Sequence, residues 1–172
     1  MGVIRRYVGC VLGALVLVAG CSSDPSTPGE AFCSGYCRLV ERCGGGADYC
    51  EENCVSQRPG LAKLSLEGAK RVGDCIAGYD CSLLSDPDAW DTGTRACFDA
   101  ASASVPPSEH LRAFCAKFAE HWFECGAWFS TSDCEHAYDI LSDAMLDAFA
   151  TCERESDCAK FASCVTTTQG GS

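Results

Sequence analysis

No Cys-x2-Cys pair occurs in this chain of 172 residues, although sixteen of those residues are cysteine. That absence removes the spacing used by thioredoxin-like redox centres and by zinc ribbons. Histidine is scarce. His110, His121 and His136 are the only three, and none stands in a His-Glu-x2-His helix motif. A Gly-x-Ser-x-Gly nucleophile elbow is also missing. Gly44-Gly45-Gly46 reads as a helix stop and turn, not as a phosphate loop. Basic residues are few: Lys and Arg number 13 against 24 Asp and Glu, for a formal net charge of −11. Such a surface repels nucleic acid and anionic headgroups. These absences leave no catalytic constellation, no cofactor motif and no nucleic-acid partner. A non-enzymatic protein is the expectation.

Long apolar runs are lacking too. The longest, Val8 to Ala19, is about a dozen residues, well short of the ~20 that cross a bilayer. Preceded by Arg5 and Arg6, it reads as an export signal over residues 1–20. The segment ends Leu17-Val18-Ala19-Gly20-Cys21, which resembles the bacterial lipobox: an aliphatic residue, two small residues, then Cys. The resemblance implies cleavage before Cys21, a diacylglycerol on its sulfur and an acylated amine. Ser22, in place of Asp, implies an outer rather than an inner bacterial membrane. Several acyl chains, at about 0.8 kcal/mol per buried CH2, would anchor the protein almost permanently. Residues 21–30 then form the lipidated N-terminus and a Ser/Pro-rich tether.

Setting aside Cys10 in the signal and Cys21 at the junction leaves fourteen cysteines, an even number, as full pairing in an oxidising compartment requires. They fall into two similar arrays. Ala31-Phe32-Cys33 recurs as Ala113-Phe114-Cys115. Cys43-Gly44 recurs as Cys125-Gly126 at the same distance. Asp48-Tyr49-Cys50-Glu51 aligns with Ser132-Asp133-Cys134-Glu135. Cys75 and Cys81 match Cys152 and Cys158, and each array closes on one more Cys, Cys97 or Cys164. This pattern predicts an internal duplication, with repeats over 31–104 and 109–168.

Each landmark has a helical role. Gly44 and Gly126 suit left-handed C′ positions. Asp48 and Ser132, each with Glu three residues on, suit capping boxes. Asp86-Pro87 suits a cap followed by N1 proline. Residues 132–152 contain no Gly or Pro, and their stripe of Ala137, Tyr138, Leu141, Met145, Ala148 and Cys152 has a helical period. No stretch alternates like a strand. The predicted fold is all-α: two tandem disulfide-braced three-helix (up-down-up) units, with helices near 31–43, 48–79, 86–102, 109–125, 132–152 and 157–167. Pro59-Gly60 should break or kink the second helix, and residues from Thr166 onward read as an unstructured tail. Phe114, Phe118, Trp122, Phe149 and Phe161 are the predicted second core.

The alignment also predicts pairings. Counted from the shared landmarks, Cys37 and Cys54 correspond to Ala119 and Tyr138, so both extra cysteines are absent together. They are expected to bond to each other, with Cys43–Cys50 and Cys125–Cys134 closing the adjoining turns. The first array's second helix is longer by about two turns, roughly 10 Å, and its third segment lengthens to match. That favours Cys33–Cys97 with Cys75–Cys81, and Cys115–Cys164 with Cys152–Cys158. The alternative, Cys33–Cys81 with Cys75–Cys97, leaves the matched lengthening unexplained.

The remaining chemistry is sparse. Cys33-x3-Cys37 and Cys50-x3-Cys54 put two sulfurs on one helix face, a spacing that binds copper or zinc if the thiols are free; the rival readings are therefore a metal carrier or a secreted-type enzyme whose motif is not recognised. His136 and Asp139 share a helix face. Trp90, Trp128 and Phe129 are candidate partner anchors. Trp128 and Phe129, in a predicted interhelix loop, are the best binding candidates. With its lipobox, Ser/Pro tether and the ending Asp157-Cys158-Ala159-Lys160-Phe161-Ala162-Ser163-Cys164, the chain resembles cysteine-rich lipoproteins of myxobacteria, mostly of unassigned function. The resemblance implies a surface or periplasmic lipoprotein held to the membrane by its N-terminal lipid. Its ligand or protein partner is left open.

Overall fold

A computed structural model describes residues 24–46 and 48–170. The export signal, Cys21 and the first tether residues lie outside the described residues. Within them the protein is all-α and disulfide-rich. Helices α1 (Pro28–Arg42), α2 (Cys50–Gln57), α3 (Leu66–Ala77), α4 (Ser82–Ser85) and α5 (Pro87–Ser102) make the first half. Helices α6 (Glu109–Glu124), α7 (Thr131–Tyr138), α8 (Asp143–Ala150) and α9 (Cys158–Gly170) make the second.

Local sequence explains most of the boundaries. Thr27 caps α1 in a capping box with Glu30, so the helix begins three residues inside the expected tether. Asp86 caps α5 through the N–H groups of Asp88 and Ala89, with Pro87 at N1. Gly44 and Gly126 have φ of 80° and 77°, the left-handed stops anticipated at the ends of α1 and α6. The other two caps differ from expectation. Tyr49, not Asp48, precedes α2, in a left-handed conformation without a side-chain cap. Ser130, not Ser132, caps α7, in a box with Asp133. The tail also differs: α9 continues to Gly170.

The expected long second helix is two helices in both halves. In the first half, a 3-10 turn over Pro59–Lys63 separates α2 from α3. Disulfides Cys33–Cys54 and Cys37–Cys50 set α2 antiparallel to α1. Arg38 then pairs with Asp74, and Arg42 donates to the carbonyls of Ala77 and Tyr79, so α3 runs in the same general direction as α1. These two helices pack closely at Gly35, where any Cβ would collide with the Gly73 backbone. Cys75–Cys97 and the Arg71–Ser104 hydrogen bond then return α5 antiparallel to α3. The second half turns in the same order. Cys115–Cys134 sets α7 against α6, His110–Asp147 holds α8 beside α6, and Cys152–Cys164 returns α9.

No Gly or Pro explains the break between α7 and α8. Tertiary contacts do. Ile140 leaves its own half and is buried in the first core with Leu61, Leu64 and Ala69. Its carbonyl accepts the Ser65 N–H at 2.8 Å, and the Ser142 N–H donates to Lys63 at 2.9 Å. These bonds form a short bridge between Leu64 and Leu141. Ser142 then caps α8. The break leaves Met145 and Ala148 of the expected stripe part-buried and buries Leu146 beside the expected Phe149. The second core otherwise matches expectation: Phe114, Phe118, Phe149 and Phe161 are buried, with Trp122 packed at the rim.

All fourteen cysteines of the described residues are paired, but with partners other than those expected. The bonds are Cys33–Cys54, Cys37–Cys50, Cys43–Cys81 and Cys75–Cys97, then Cys115–Cys134, Cys125–Cys158 and Cys152–Cys164. The expected Cys37–Cys54, Cys43–Cys50, Cys33–Cys97, Cys75–Cys81, Cys125–Cys134, Cys115–Cys164 and Cys152–Cys158 do not form. The physical reason is the hairpin. On two antiparallel helices, cysteines four residues apart pair outermost with outermost and inner with inner. That frees Cys43 for Cys81 at the far end of the bundle. Cys134 is then the counterpart of Cys54, not of Cys50. Three bridges join cysteines of the same order in both halves, and the extra one is Cys37–Cys50, whose equivalent positions in the second half are Ala119 and Ser130.

Candidate functional site

The sequence-predicted pair Trp128 and Phe129 lies in the loop between α6 and α7, which opens at the left-handed Gly126. The two residues have different surroundings. Trp128 is 86 % exposed and meets the exposed Phe123 ring edge to face at 6.4 Å. Phe129 turns inward and packs on Phe118 at 6.3 Å. Trp90, the other aromatic candidate, is half-buried against Tyr36 at 5.5 Å.

Trp128 and Phe129 form one wall of an open groove of about 370 Å³. Its floor is Tyr138, from the end of α7, and its other walls are Trp122 on α6 with Val165 and Gln169 on α9. Burial pushes the Tyr138 phenol up from its ordinary value, against an opposing hydrogen bond from the Gln169 amide. No lining residue carries a charge, in a chain with a net charge of −11. The groove can therefore take a neutral group that stacks on indole rings, with Gln169 and Thr166 available for hydrogen bonds. Sequence reading did not assign Trp122 or Tyr138 to the lining, and it ended the helix expected over 157–167 before Gln169, short of its observed end at Gly170. The signal was the spacing Phe161, Val165, Gln169, one helix face that runs from the expected helix into the residues expected to be an unstructured tail.

A second cluster sits where the halves meet. The Ser102 hydroxyl lies 2.7 Å from the His136 carbonyl oxygen and 3.0 Å from Asp139 Oδ2, with His136 Nδ1 at 3.4 Å. Its residue types are those of a hydrolase triad, but the order is wrong: the imidazole does not stand between hydroxyl and carboxylate. The serine instead ties α5 to the end of α7. Burial raises the Asp139 carboxyl above its ordinary range, with the Ser102 hydrogen bond and His136 opposing, and its Oδ1 has no partner among the described residues. Glu153 is likewise raised by burial, with Lys117 and His121 opposing. His136 and Asp139 do share one region of the molecule, as a packing seam.

Both Cys-x3-Cys pairs are consumed in bridging α1 to α2, so the thiols a metal carrier needs are not available there. Among the described residues, no group of three or more His, Cys, Asp or Glu is placed to hold a metal ion. No described helix is long and apolar enough to cross a membrane. No family model, curated protein or solved structure matches this chain.

Proposed function

We propose that this chain is an exported, lipid-anchored binding or scaffolding module without enzymatic activity, attached through Cys21 to a bacterial membrane, the outer one by the Ser22 rule. The lipobox Leu17-Val18-Ala19-Gly20-Cys21 supports the anchor. The observation that carries the binding role is the uncharged aromatic groove, with Trp128 standing 86 % exposed at its edge. An exposed indole over a set of rings offers a large apolar face to a partner. The cysteines are occupied in the framework, so recognition falls to the surfaces between them.

Two measurements test this reading. Mass spectrometry of the mature N-terminus should find Cys21 acylated, and Cys21→Ser should move the protein from the membrane to the soluble fraction. A photo-crosslinking residue at position 128 should trap one discrete partner in the native envelope, whereas the same residue at the exposed Arg95 should not. Equal yields at both positions would end the groove reading.

We also infer that the two halves arose by duplication. Three bridges of like order support it, as does a match of packing. Arg58 lies four residues past Cys54 and sits over Phe32 and Tyr36. Tyr138 lies four residues past Cys134 and sits against Phe114 and Phe118. Those rings hold the same places relative to Cys33 and Cys115.

A further inference from the structure

We propose that Arg58 and the cleft it faces bind a carboxylate carried on an apolar group. This site is in the first half and does not depend on the Trp128 groove. The Arg58 guanidinium lies 5.2 Å from the ring centre of Trp90, 5.3 Å from that of Tyr36 and 5.6 Å from that of Phe32. Three rings hold it by cation–π contact. They do not use its hydrogen-bonding capacity, which is five N–H donors in a planar fork. The arginine–carboxylate pairs of the described residues go to Arg38, Arg71 and Arg95, and Arg42 and Arg112 donate to carbonyls. Arg58 takes part in none of these.

Packing alone does not require a charge at this position. Tyr138 fills the corresponding place in the second half with a neutral ring, edge to face with Phe114 at 5.9 Å and Phe118 at 5.8 Å. A flat side chain suffices there; the positive charge and the donors of Arg58 are surplus to the fold. They face an open cleft of about 320 Å³ whose apolar walls are Tyr36, Leu83, Leu84, Pro87 and Trp90. The one acid in its lining, Asp86, has Oδ1 turned to the N–H groups of Asp88 at 2.9 Å and Ala89 at 3.3 Å. Rings cover the face of the guanidinium, so a ligand meets its edge, where a carboxylate fits two N–H groups side by side. The chain's net charge of −11 favours a monoanion over a phosphate dianion. The walls select an apolar neighbour to that carboxylate: a free apolar acid, or a peptide end with a large apolar last residue.

The test uses the full exported chain, oxidised, 15N-labelled and held in neutral detergent. The probes are 3-phenylpropionate and its neutral alcohol, and an acetylated dipeptide ending in leucine with its C-terminal amide. The Arg58 Nε–H and Trp90 indole N–H signals should shift saturably with one or both acids at millimolar concentration. Response to the free acid alone assigns a small-acid site; response to the peptide assigns a chain-end site. The neutral probes should bind at least tenfold more weakly, about 1.4 kcal/mol. Arg58→Tyr, which copies Tyr138, should keep a folded spectrum and lose the response tenfold or more. Equal binding of acid and neutral probe, undiminished binding to R58Y, or no saturable shift with either acid overturns the proposal. The acid-against-neutral comparison on the unaltered chain decides the matter even where R58Y folds poorly.

Discussion

Replacing Cys37 by Ala and Cys50 by Ser removes the bridge that only the first half has and installs the residues found at the matching places, Ala119 and Ser130. The Cys33–Cys54 bridge spans 21 residues and encloses Cys37–Cys50, which spans 13. In isolation, a loop of that inner size restricts the unfolded chain by about 3 kcal/mol. The outer bridge changes this. With Cys33–Cys54 intact, positions 37 and 50 are already joined in the unfolded chain by two routes, through the turn and back through the outer bond. Two such routes act together like a loop of about five residues, which lowers the entropic contribution to about 2 kcal/mol. Losing the sulfur of Cys37, which is 8 % exposed, adds a small packing cost. The double variant should therefore lose about 2–3 kcal/mol, or about 5–10 °C in Tm for a chain of this size.

Thermal unfolding followed by circular dichroism under non-reducing conditions measures the loss, and a free-thiol count on the denatured protein checks the pairing. The count should be unchanged from the parent. New free thiols, or a peptide joining Cys43 to Cys54, would refute the nested pairing. A loss beyond about 5 kcal/mol, or failure to fold, would refute the idea that one bridge holds the hairpin as Cys115–Cys134 does in the second half.

Gly35→Ala should destabilise by about 3 kcal/mol or more in denaturant titration, because its Cβ enters the Gly73 backbone, which cannot yield as a side chain does. Burial raises the Asp139 carboxyl, so the folded state holds this proton more tightly than the unfolded chain. Its contribution is favourable at acid pH and is lost as pH rises from the ordinary carboxylate range through the raised value. Asp139→Asn should flatten that part of the stability-against-pH curve and raise the denaturant midpoint at neutral pH relative to the parent, since an amide oxygen still accepts from Ser102. Trp128→Ala should change stability by no more than about 0.5 kcal/mol, whereas Phe118→Ala, at the centre of the second core, should cost about 3–5 kcal/mol by the same measurement.

What could be read from the sequence was local. The left-handed stops at Gly44 and Gly126, the Asp86-Pro87 start and the break at Pro59-Gly60 each depend on one or two residues. The second core's aromatics follow from helical spacing. The break at residues 139–142 has no local cause, because Ile140 is drawn into the other half's core and Ser65 takes its carbonyl. The pairing failed for a related reason. Aligning Cys134 with Cys50 instead of Cys54 is a slip of four residues, about one helical turn, which keeps every side chain on nearly the same face. Helical periodicity cannot detect such a slip. The clue was present as two Cys-x3-Cys pairs, a spacing that suits a doubly bridged hairpin as well as it suits a metal. The groove was legible only at Trp128 and Phe129. Its far wall belongs to α9, whose Thr- and Gln-rich end has little apolar content of its own and is helical as a continuation of a turn anchored by Cys158 and Phe161.

The two halves differ most where the framework does not constrain them. Three bridges of like order hold each set of helices, and the positions between them differ. The place four residues past the shared hairpin cysteine is Arg58 in one half and Tyr138 in the other. Each sits on a matching pair of rings, and each lines a different opening: an arginine-edged cleft with apolar walls, and an uncharged aromatic groove. A scaffold held mainly by side-chain burial could not readily exchange a cation for a phenol at such a contact, because the desolvation cost would fall on the core. Here the bonds from Cys54 to Cys33 and from Cys134 to Cys115 fix the hairpin one turn away, so the residue at this place need only lie flat. The covalent framework thereby leaves recognition chemistry free to differ between the halves, and the proposed cleft and groove both stand at the position where it has.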